Sequence, residues 1–329
     1  MSIPVRRLPQ PEEARLRSTW RAASVPRINA ALADAQHRPT GGWHVVGAST
    51  DVRRPRDGRT PATIVRVIAG REIVLFRDED DTFHAGPGAC PHMGARLEGC
   101  VVADGSVLCR WHGLALGGAR SEMPFEEYVV HDDGVLLWVR LDDDPLAGEL
   151  TWAPTLTARP DPGASIAAVV AEPGECEPED VIANRLDPWH GAWFHPYAFS
   201  HLEVDEDASE IDRLVVDVTF RLGRTFGVPV RAEFACPDAR TIVMTILDGE
   251  GTGSVVETHA TPLTAPGAPR ARTMVTEATI ATSPRQGFRV ARALTPLVAA
   301  GIRHTARGLW VDDLAYAERR YALRQNGSR

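Results

Sequence analysis

No stretch of the 329 residues approaches the length of an apolar membrane span. The first 27 residues hold Arg, Pro and Glu but no apolar run that could serve as a signal peptide, so a cytoplasmic protein is expected. Cysteine is scarce. Cys90, Cys100, Cys109, Cys176 and Cys236 make five, an odd and thinly spread set, which argues against a disulfide framework and leaves metal or core roles. Acidic and basic residues are interspersed at a net charge of -8, and no basic stripe carries interleaved aromatics, so nucleic acid is not an expected partner. No glycine-rich strand–turn–helix of the nucleotide-binding kind is present, so NAD(P)H would have to act through a separate protein. Repeats and low-complexity tracts are absent.

What is present is ordinary globular material. Hydrophobic residues at 43% and charged residues at 24% suit a soluble protein, and the length suits two cores. Residues 1–41 read as an arm with helical pieces, alanine-rich over 22–35 and closed by Pro39 and Gly41-Gly42. From Trp43 the pattern changes to short β-like runs at 43–46, 63–68, 72–76, 107–108 and 135–139, parted by turn pairs such as Asp57-Gly58 and Asp104-Gly105. This predicts a small antiparallel β domain over 42–141. Residues 142–164, rich in Asp, Pro and Gly, read as a linker. The remaining domain, 165–329, opens on a strand at 165–170 and continues into a helical segment holding Asn184 to His195. Alternating segments follow at 213–222, 228–235, 241–247, 255–261 and 272–281, and one or two helices close the chain between 285 and 324. Strands followed by a long helix predict an α+β domain whose antiparallel sheet wraps that helix.

Two constellations carry chemistry. The first is Cys90-Pro-His92 followed, after 16 residues, by Cys109-Arg-Trp-His112. Each pair puts a thiolate and an imidazole on one short loop, so two loops can pinch one metal centre. Two thiolates and two imidazoles would suit zinc as well as an iron–sulfur cluster. With a glycine turn after each loop (Gly94, Gly113), the region resembles the Rieske proteins, in which two Cys hold one iron and two His the other. The resemblance implies a [2Fe–2S] cluster on Cys90, His92, Cys109 and His112. Respiratory relatives of this type add a disulfide, whose positions here are Ala95 and Trp111, and a serine, whose position is Leu114. Fewer donors to the cluster sulfurs imply a potential toward the low end of the Rieske range, which suits feeding an oxygenase iron. Cys100 is expected to be a small buried residue.

The second constellation is Asn184-Arg-Leu-Asp187-Pro-Trp-His190-Gly-Ala-Trp-Phe-His195. Two neutral imidazoles and one carboxylate leave a face of Fe(II) open for O2 and substrate. Five residues separate His190 from His195, an interval of about 140° on a regular helix. A local π-bulge is therefore expected to bring the rings together. Five aromatics between Trp189 and Phe199 are read mostly as core packing for this helix, with one or two walling a substrate pocket. His259 is read as a satisfied core or edge histidine.

This segment resembles the oxygenase (α) subunits of Rieske non-haem iron oxygenases, whose monooxygenase branch carries Asn-x-x-Asp-x-x-His-x-x-x-x-His. The resemblance implies that His190 and His195 ligate a mononuclear Fe(II), that Asp187 is a bridging carboxylate, and that Asn184 is an amide just outside the ligands. The third ligand is implied to be an Asp of the last helix. Asp313, followed by Tyr316 and Glu318, fits better than Asp312, and the loser is read as a solvated helix residue. The implied fold is a helix-grip, START-like domain with an apolar cavity. The implied activity is that of a terminal oxygenase using O2 to hydroxylate or oxidatively demethylate an apolar substrate of terpenoid, carotenoid, steroid or aromatic type. Electrons would come from a separate reductase or ferredoxin. A head-to-tail homotrimer is implied, in which Asp187 bonds His190 and His112 of the partner subunit. The rival reading is a non-catalytic Rieske electron carrier whose second domain only docks partners.

Overall fold

A computed structural model describes residues 5–8, 19–55 and 59–327. The Asp57-Gly58 turn and most of the first 18 residues of the arm lie outside the described residues. Contacts group the chain into two units. One comprises Pro39–Pro154 with Thr261–Met274, and the other Met1–Arg38, Thr155–Ala260 and Val275–Arg329. The linear reading held neither the hairpin at 261–274 within the first unit nor the arm within the second.

β1 is the two-residue Arg6–Arg7, which belongs to the second unit. The first unit holds β2 (Trp43–Ala48), β3 (Ile64–Ile68), β4 (Arg71–Arg77), β5 (Phe83–Pro87), β6 (Val101–Ala103), β7 (Ser106–Leu108), β8 (Ala115–Leu116), β9 (Val130–Asp132) and β10 (Leu136–Arg140). They form three small sheets, ordered β2-β10-β9, β3-β4-β5 and β6-β7-β8. The Asp104-Gly105 turn is where the sequence put it. Ala103 faces Ser106 and both turn residues have positive φ (52° and 72°), the twist that joins a tight hairpin. The strands β5, β6, β8 and β9, of two to five residues, escaped the sequence reading, although β3, β7 and β10 are no longer than five and were read. Phe83-His-Ala-Gly-Pro87 lacks clean alternation.

In the second unit α1 (Val25–Gln36) buries Ile28, Ala31, Leu32 and Ala35, the i, i+3, i+4, i+7 stripe of a helix packed on one side. After β11 (Ser165–Gly174) and α2 (Pro178–Arg185) come a four-residue α3 (Gly191–Phe194) and a meander. The meander runs β12 (Phe199–Val204), β13 (Arg213–Leu222), β14 (Phe226–Asp238), β15 (Thr241–Gly249), β16 (Val255–Pro262) and β17 (Thr273–Thr282). The sheet order is β11-β17-β16-β15-β14-β13-β12, with β1 on β14. Two helices follow, α4 (Gln286–Ala293) and the 31-residue α5 (Thr295–Gln325). Trp310, Asp313, Leu314 and Ala317 of α5 are buried, and the apolar ones join the core beneath the sheet. This is the expected α+β arrangement of an antiparallel sheet with a long closing helix. No helix among the described residues is long and apolar enough to cross a membrane.

One charged network fixes α5 against α2. Asp180 is fully buried at the third position of α2 and forms a capping box with Glu177. Its carboxylate accepts from Arg324 Nε (3.0 Å) and Nη2 (2.7 Å) and pairs with Arg320, while Arg324 also bonds Glu177 at 2.7 Å. Positions 313, 317, 320 and 324 share one face of α5, so anchoring the guanidinium end sets the register of Asp313 against α2. The chain contains no lysine. Such networks are therefore built from planar forks that bind carboxylates through two donors at once. Asp180→Ala is expected to lower stability by about 2–3 kcal/mol in a urea titration, since it strands two partly exposed guanidinia. Loss of the Glu179 carboxylate, which pairs with Arg320 and Arg324 at the edge of the network, is expected to cost less than about 1 kcal/mol.

Candidate metal centres

The two loops of the first unit share one backbone design. Gly94 N–H donates to Cys90 O and Gly113 N–H to Cys109 O, each at 2.8 Å, while Cys90 N–H donates to Ala95 O and Cys109 N–H to Leu114 O. Both glycines sit at φ +74°, a conformation that strains any residue with a Cβ. The paired turns aim Cys90 and Cys109 inward, where both are buried and their thiols are within hydrogen-bonding distance. Burial pushes the Cys90 thiol up. The same turns leave His92 and His112 exposed, with ring centroids 5.0 Å apart. All five cysteines are free, and Cys100 lies in the apolar core behind the loops. Two converging thiols below two converging imidazoles fit the donor set of a Rieske [2Fe–2S] cluster.

The second centre differs from the sequence expectation in its backbone. No π-bulge carries His190 and His195. α2 stops at Arg185, because Pro188 has no N–H to donate and disfavours the helical region for the residue before it. Asp187 accordingly sits at φ -108°, ψ 74°. One 3-10 turn, Pro188–His190, runs into α3, and His195 ends that helix at φ -115°, ψ 56°. The break re-aims the two rings until their centroids are 5.3 Å apart.

Both imidazoles meet the last helix at one atom. His190 Nε2 and His195 Nε2 lie 3.1 and 3.0 Å from Asp313 Oδ1, and Asn184 Nδ2 donates to the same oxygen at 3.1 Å. One ligand atom from each of His190, His195 and Asp313 lies within 4.8 Å of the others. Burial alone would raise the Asp313 carboxyl, but its bonds to His190 and His195 outweigh that and hold it well below the usual carboxylate range. A permanently ionised carboxylate between two imidazoles is a fitting donor set for a divalent iron.

Asp312 points elsewhere. Its Oδ2 accepts from Tyr197 OH at 2.7 Å and lies 3.4 Å from His195 Nδ1. It is thus not the solvated helix residue expected of the losing aspartate. Behind the ring, it favours the tautomer that leaves Nε2 free as a ligand. Asp187 lies behind the other ring, 3.8 Å from His190 Nδ1, and accepts from Tyr316 OH at 3.2 Å. Burial pushes Tyr316 up to about 12, and Asp187 adds to that shift, so the hydroxyl keeps its proton for this bond. The Tyr316 ring stacks on His190 at 5.5 Å. Sequence analysis used Tyr316 only as a landmark for Asp313. Its contact crosses 129 residues and left no local signal. Asp187 Oδ1, His190 Nδ1 and Asn184 Oδ1 are buried without a hydrogen-bond partner among the described residues. Orphaned polar atoms around a ligand set are what an absent ion or partner leaves behind.

The centre opens on a cavity of about 900 Å³, whose apolar wall includes Leu202, Val216, Phe234, Met244 and Ile302. The aromatic run is only partly the core packing expected of it. Trp189 is buried, whereas Trp193, Phe194 and Tyr197 are 46%, 42% and 54% exposed, and Tyr197 and Phe199 line the cavity. His259 is buried and bonded to Thr241 and Glu257, as a core histidine.

Comparison with known proteins finds matches for both parts of the chain. Residues 42–127 match the profile of the Rieske [2Fe-2S] domain. The chain is similar to the vanillate O-demethylase oxygenase subunit of Pseudomonas sp. (strain HR199 / DSM 7063), at 26% identity over 51% of this chain and 48% of that one. It is equally similar to the 5,5'-dehydrodivanillate O-demethylase oxygenase subunit of Sphingobium sp. (strain NBRC 103272 / SYK-6), at 26% over 50% of this chain and 43% of that one. The chain thus spans about half the length of the curated relatives it matches. A crystal structure of dicamba monooxygenase bound to 3,6-dichlorosalicylic acid has the same fold, with a TM-score of 0.63 at 18% identity, covering 88% of this chain and 91% of that one. Profile and fold define a Rieske [2Fe–2S] domain followed by an α+β domain, and the donor sets of the two centres fit a [2Fe–2S] cluster and a mononuclear iron. More particularly, the chain belongs to the family described as Domain of unknown function (DUF5914), whose profile matches residues 147–328.

Asp313→Ala is expected to abolish mononuclear iron binding, read by metal analysis, while the visible spectrum of the cluster stays intact. Asp312→Ala is expected to keep the iron with affinity lowered about 10-fold or more, the usual cost of losing the carboxylate behind a ligating imidazole. The reverse pattern would move the ligand one residue back.

Proposed function

We propose that the chain is a terminal oxygenase that inserts oxygen from O2 into an apolar substrate, by hydroxylation or oxidative demethylation. In this reading residues 42–141 carry the cluster on Cys90, His92, Cys109 and His112. Residues 165–329 carry the iron on His190, His195 and Asp313, with 1–41 as an arm and 142–164 as a linker. The observation that carries the reading is the convergence of two imidazoles and one ionised carboxylate on the wall of a large apolar cavity. When bound, the iron supplies O2 activation and the cluster stores the electron that a single Fe(II) lacks.

The protein's own residues then have distinct tasks. Asp313 and the two imidazoles occupy one side of the metal position and leave the cavity side free for O2 and substrate. Asn184 holds the Asp313 carboxylate through its amide, and Asp312 orients His195. The apolar wall keeps water from the reacting carbon, so the substrate is the group best placed to meet activated oxygen. The two curated relatives named above are oxygenase subunits of vanillate and 5,5'-dehydrodivanillate O-demethylases, which supports an aromatic or similarly compact apolar substrate. Electrons arrive from a separate reductase or ferredoxin docking at the exposed His92 and His112 edge, in the cytoplasm.

Iron and acid-labile sulfide assays on anaerobically reconstituted protein test this against the electron-carrier reading. A ratio near 3:2 is expected (two cluster irons and one mononuclear iron per two sulfides). A ratio of 2:2 that persists in excess Fe(II) would favour the carrier, and zinc without visible absorption would remove the cluster itself.

The route of the electrons follows from Asp187. In a head-to-tail homotrimer this carboxylate bridges His190 and His112 of the partner subunit, which gives its buried, unpartnered Oδ1 a donor. Tyr316 holds the other oxygen. Asp187→Asn is expected to leave the cluster reducible and the mononuclear iron largely bound, yet to lower turnover by about two orders of magnitude or more. Wild-type electron transfer in that variant, or an active monomer in sedimentation, would contradict the bridge.

A further inference from the structure

Arg185 closes α2, and its side chain reaches the wall of the cavity. Its guanidinium carbon lies 5.7 Å from the ring of Phe234 and 5.8 Å from that of Trp310. The Nε group is buried, and the guanidinium has neither a hydrogen bond nor an ion pair among the described residues. Its buried Nε carries a desolvation cost with no acceptor in place, and its other donors lie at the cavity wall, open to an acceptor in that space. Neither neighbouring acid supplies one. Asp313 is taken up by Asn184, His190 and His195 and acts on Arg185 only through space. Glu277, also on the cavity wall, is deeply buried and accepts the Trp310 indole N–H at 3.0 Å, and it influences Arg185 only through space. Trp310 is thereby held in place as one jaw of the clamp on Arg185.

Elsewhere in the chain guanidinium forks close on paired oxygens. Arg159 holds both oxygens of Glu257 at 2.6 Å, and Arg324 takes both oxygens of Asp180. At Arg185 no such pair closes on the fork among the described residues. We infer that Arg185 is an anion anchor and that the substrate is an apolar molecule carrying one carboxylate. The carboxylate pairs with the guanidinium fork while the body of the molecule lies between Phe234, Met244 and Ile246 and presents its far end to the iron position. Because Arg185 and His190 lie on one continuous segment, the anchor and the metal position are set by the same break at Pro188. The inference rests on the cavity being the substrate site.

The test is titration calorimetry on the iron-loaded, cluster-intact protein with two near-isosteric probes, 2-naphthoate and 2-naphthamide. The wild-type protein is expected to bind the acid at least about tenfold more tightly than the amide, in line with a charge-assisted pair. Arg185→Met is expected to erase that preference, and Arg185→Lys to keep only part of it, since an ammonium cannot match both oxygens. Equal affinity for acid and amide in the wild type, failure of the acid to bind, or an undiminished preference in Arg185→Met would overturn the anchor. Metal analysis of the same samples separates this from the wider reading. A protein that loads iron but shows no acid preference loses the anchor alone. A protein that prefers the acid but never holds mononuclear iron keeps the anchor and loses the oxygenase.

Discussion

A single buried oxygen, Asp313 Oδ1, receives three nitrogen atoms from one short stretch of chain, those of Asn184, His190 and His195. Three nitrogens around one oxygen fit an ionised carboxylate, and the two ring nitrogens would turn their lone pairs to a divalent ion when one is bound. Much of the surrounding structure serves that convergence. The Asp180 network fixes the phase of α5, Pro188 breaks α2 so that both imidazoles turn the same way, and Asp312 and Asp187 stand behind the two rings.

The two centres are dressed differently, and the difference fits what each has to do. The cluster loops bury their thiols and expose their imidazoles, so electrons have a short route to the surface on the histidine side. At the iron site the order is inverted. His195 and Asp313 are almost wholly buried, and access runs through an apolar cavity. In the proposed reading, a one-electron store has to meet a partner protein, whereas an oxygen-activating site has to meet a small molecule and little water. The chain builds both environments from loops set on antiparallel sheet.

Much of this was legible in the sequence, and the limits have physical reasons. Ligands carried on short loops leave a spacing, so Cys90, His92, Cys109 and His112 could be read directly. The period-2 alternation of the long meander strands was equally plain. Strands of three to five residues with glycine, proline or histidine in them were not. The helical interval between His190 and His195 predicted a bulge, because periodicity assumes a continuous helix. The decisive residue, Pro188, was in view but was not weighed as a breaker. Contacts across more than 100 residues, such as Tyr316 to Asp187 and Tyr197 to Asp312, leave no pattern in one sequence, and the same holds for Arg185 lodged between Phe234 and Trp310.

The central claim is that the cluster and the mononuclear site act as one redox unit, and rapid mixing tests it most directly. Chemically reduced protein is mixed with O2 and substrate, and reoxidation of the cluster is followed by its visible absorbance. The account predicts fast reoxidation when the His190, His195 and Asp313 site holds iron. In protein stripped of mononuclear iron, with the cluster intact, reoxidation should be slower by at least about two orders of magnitude. Equal rates in the loaded and stripped proteins would contradict it.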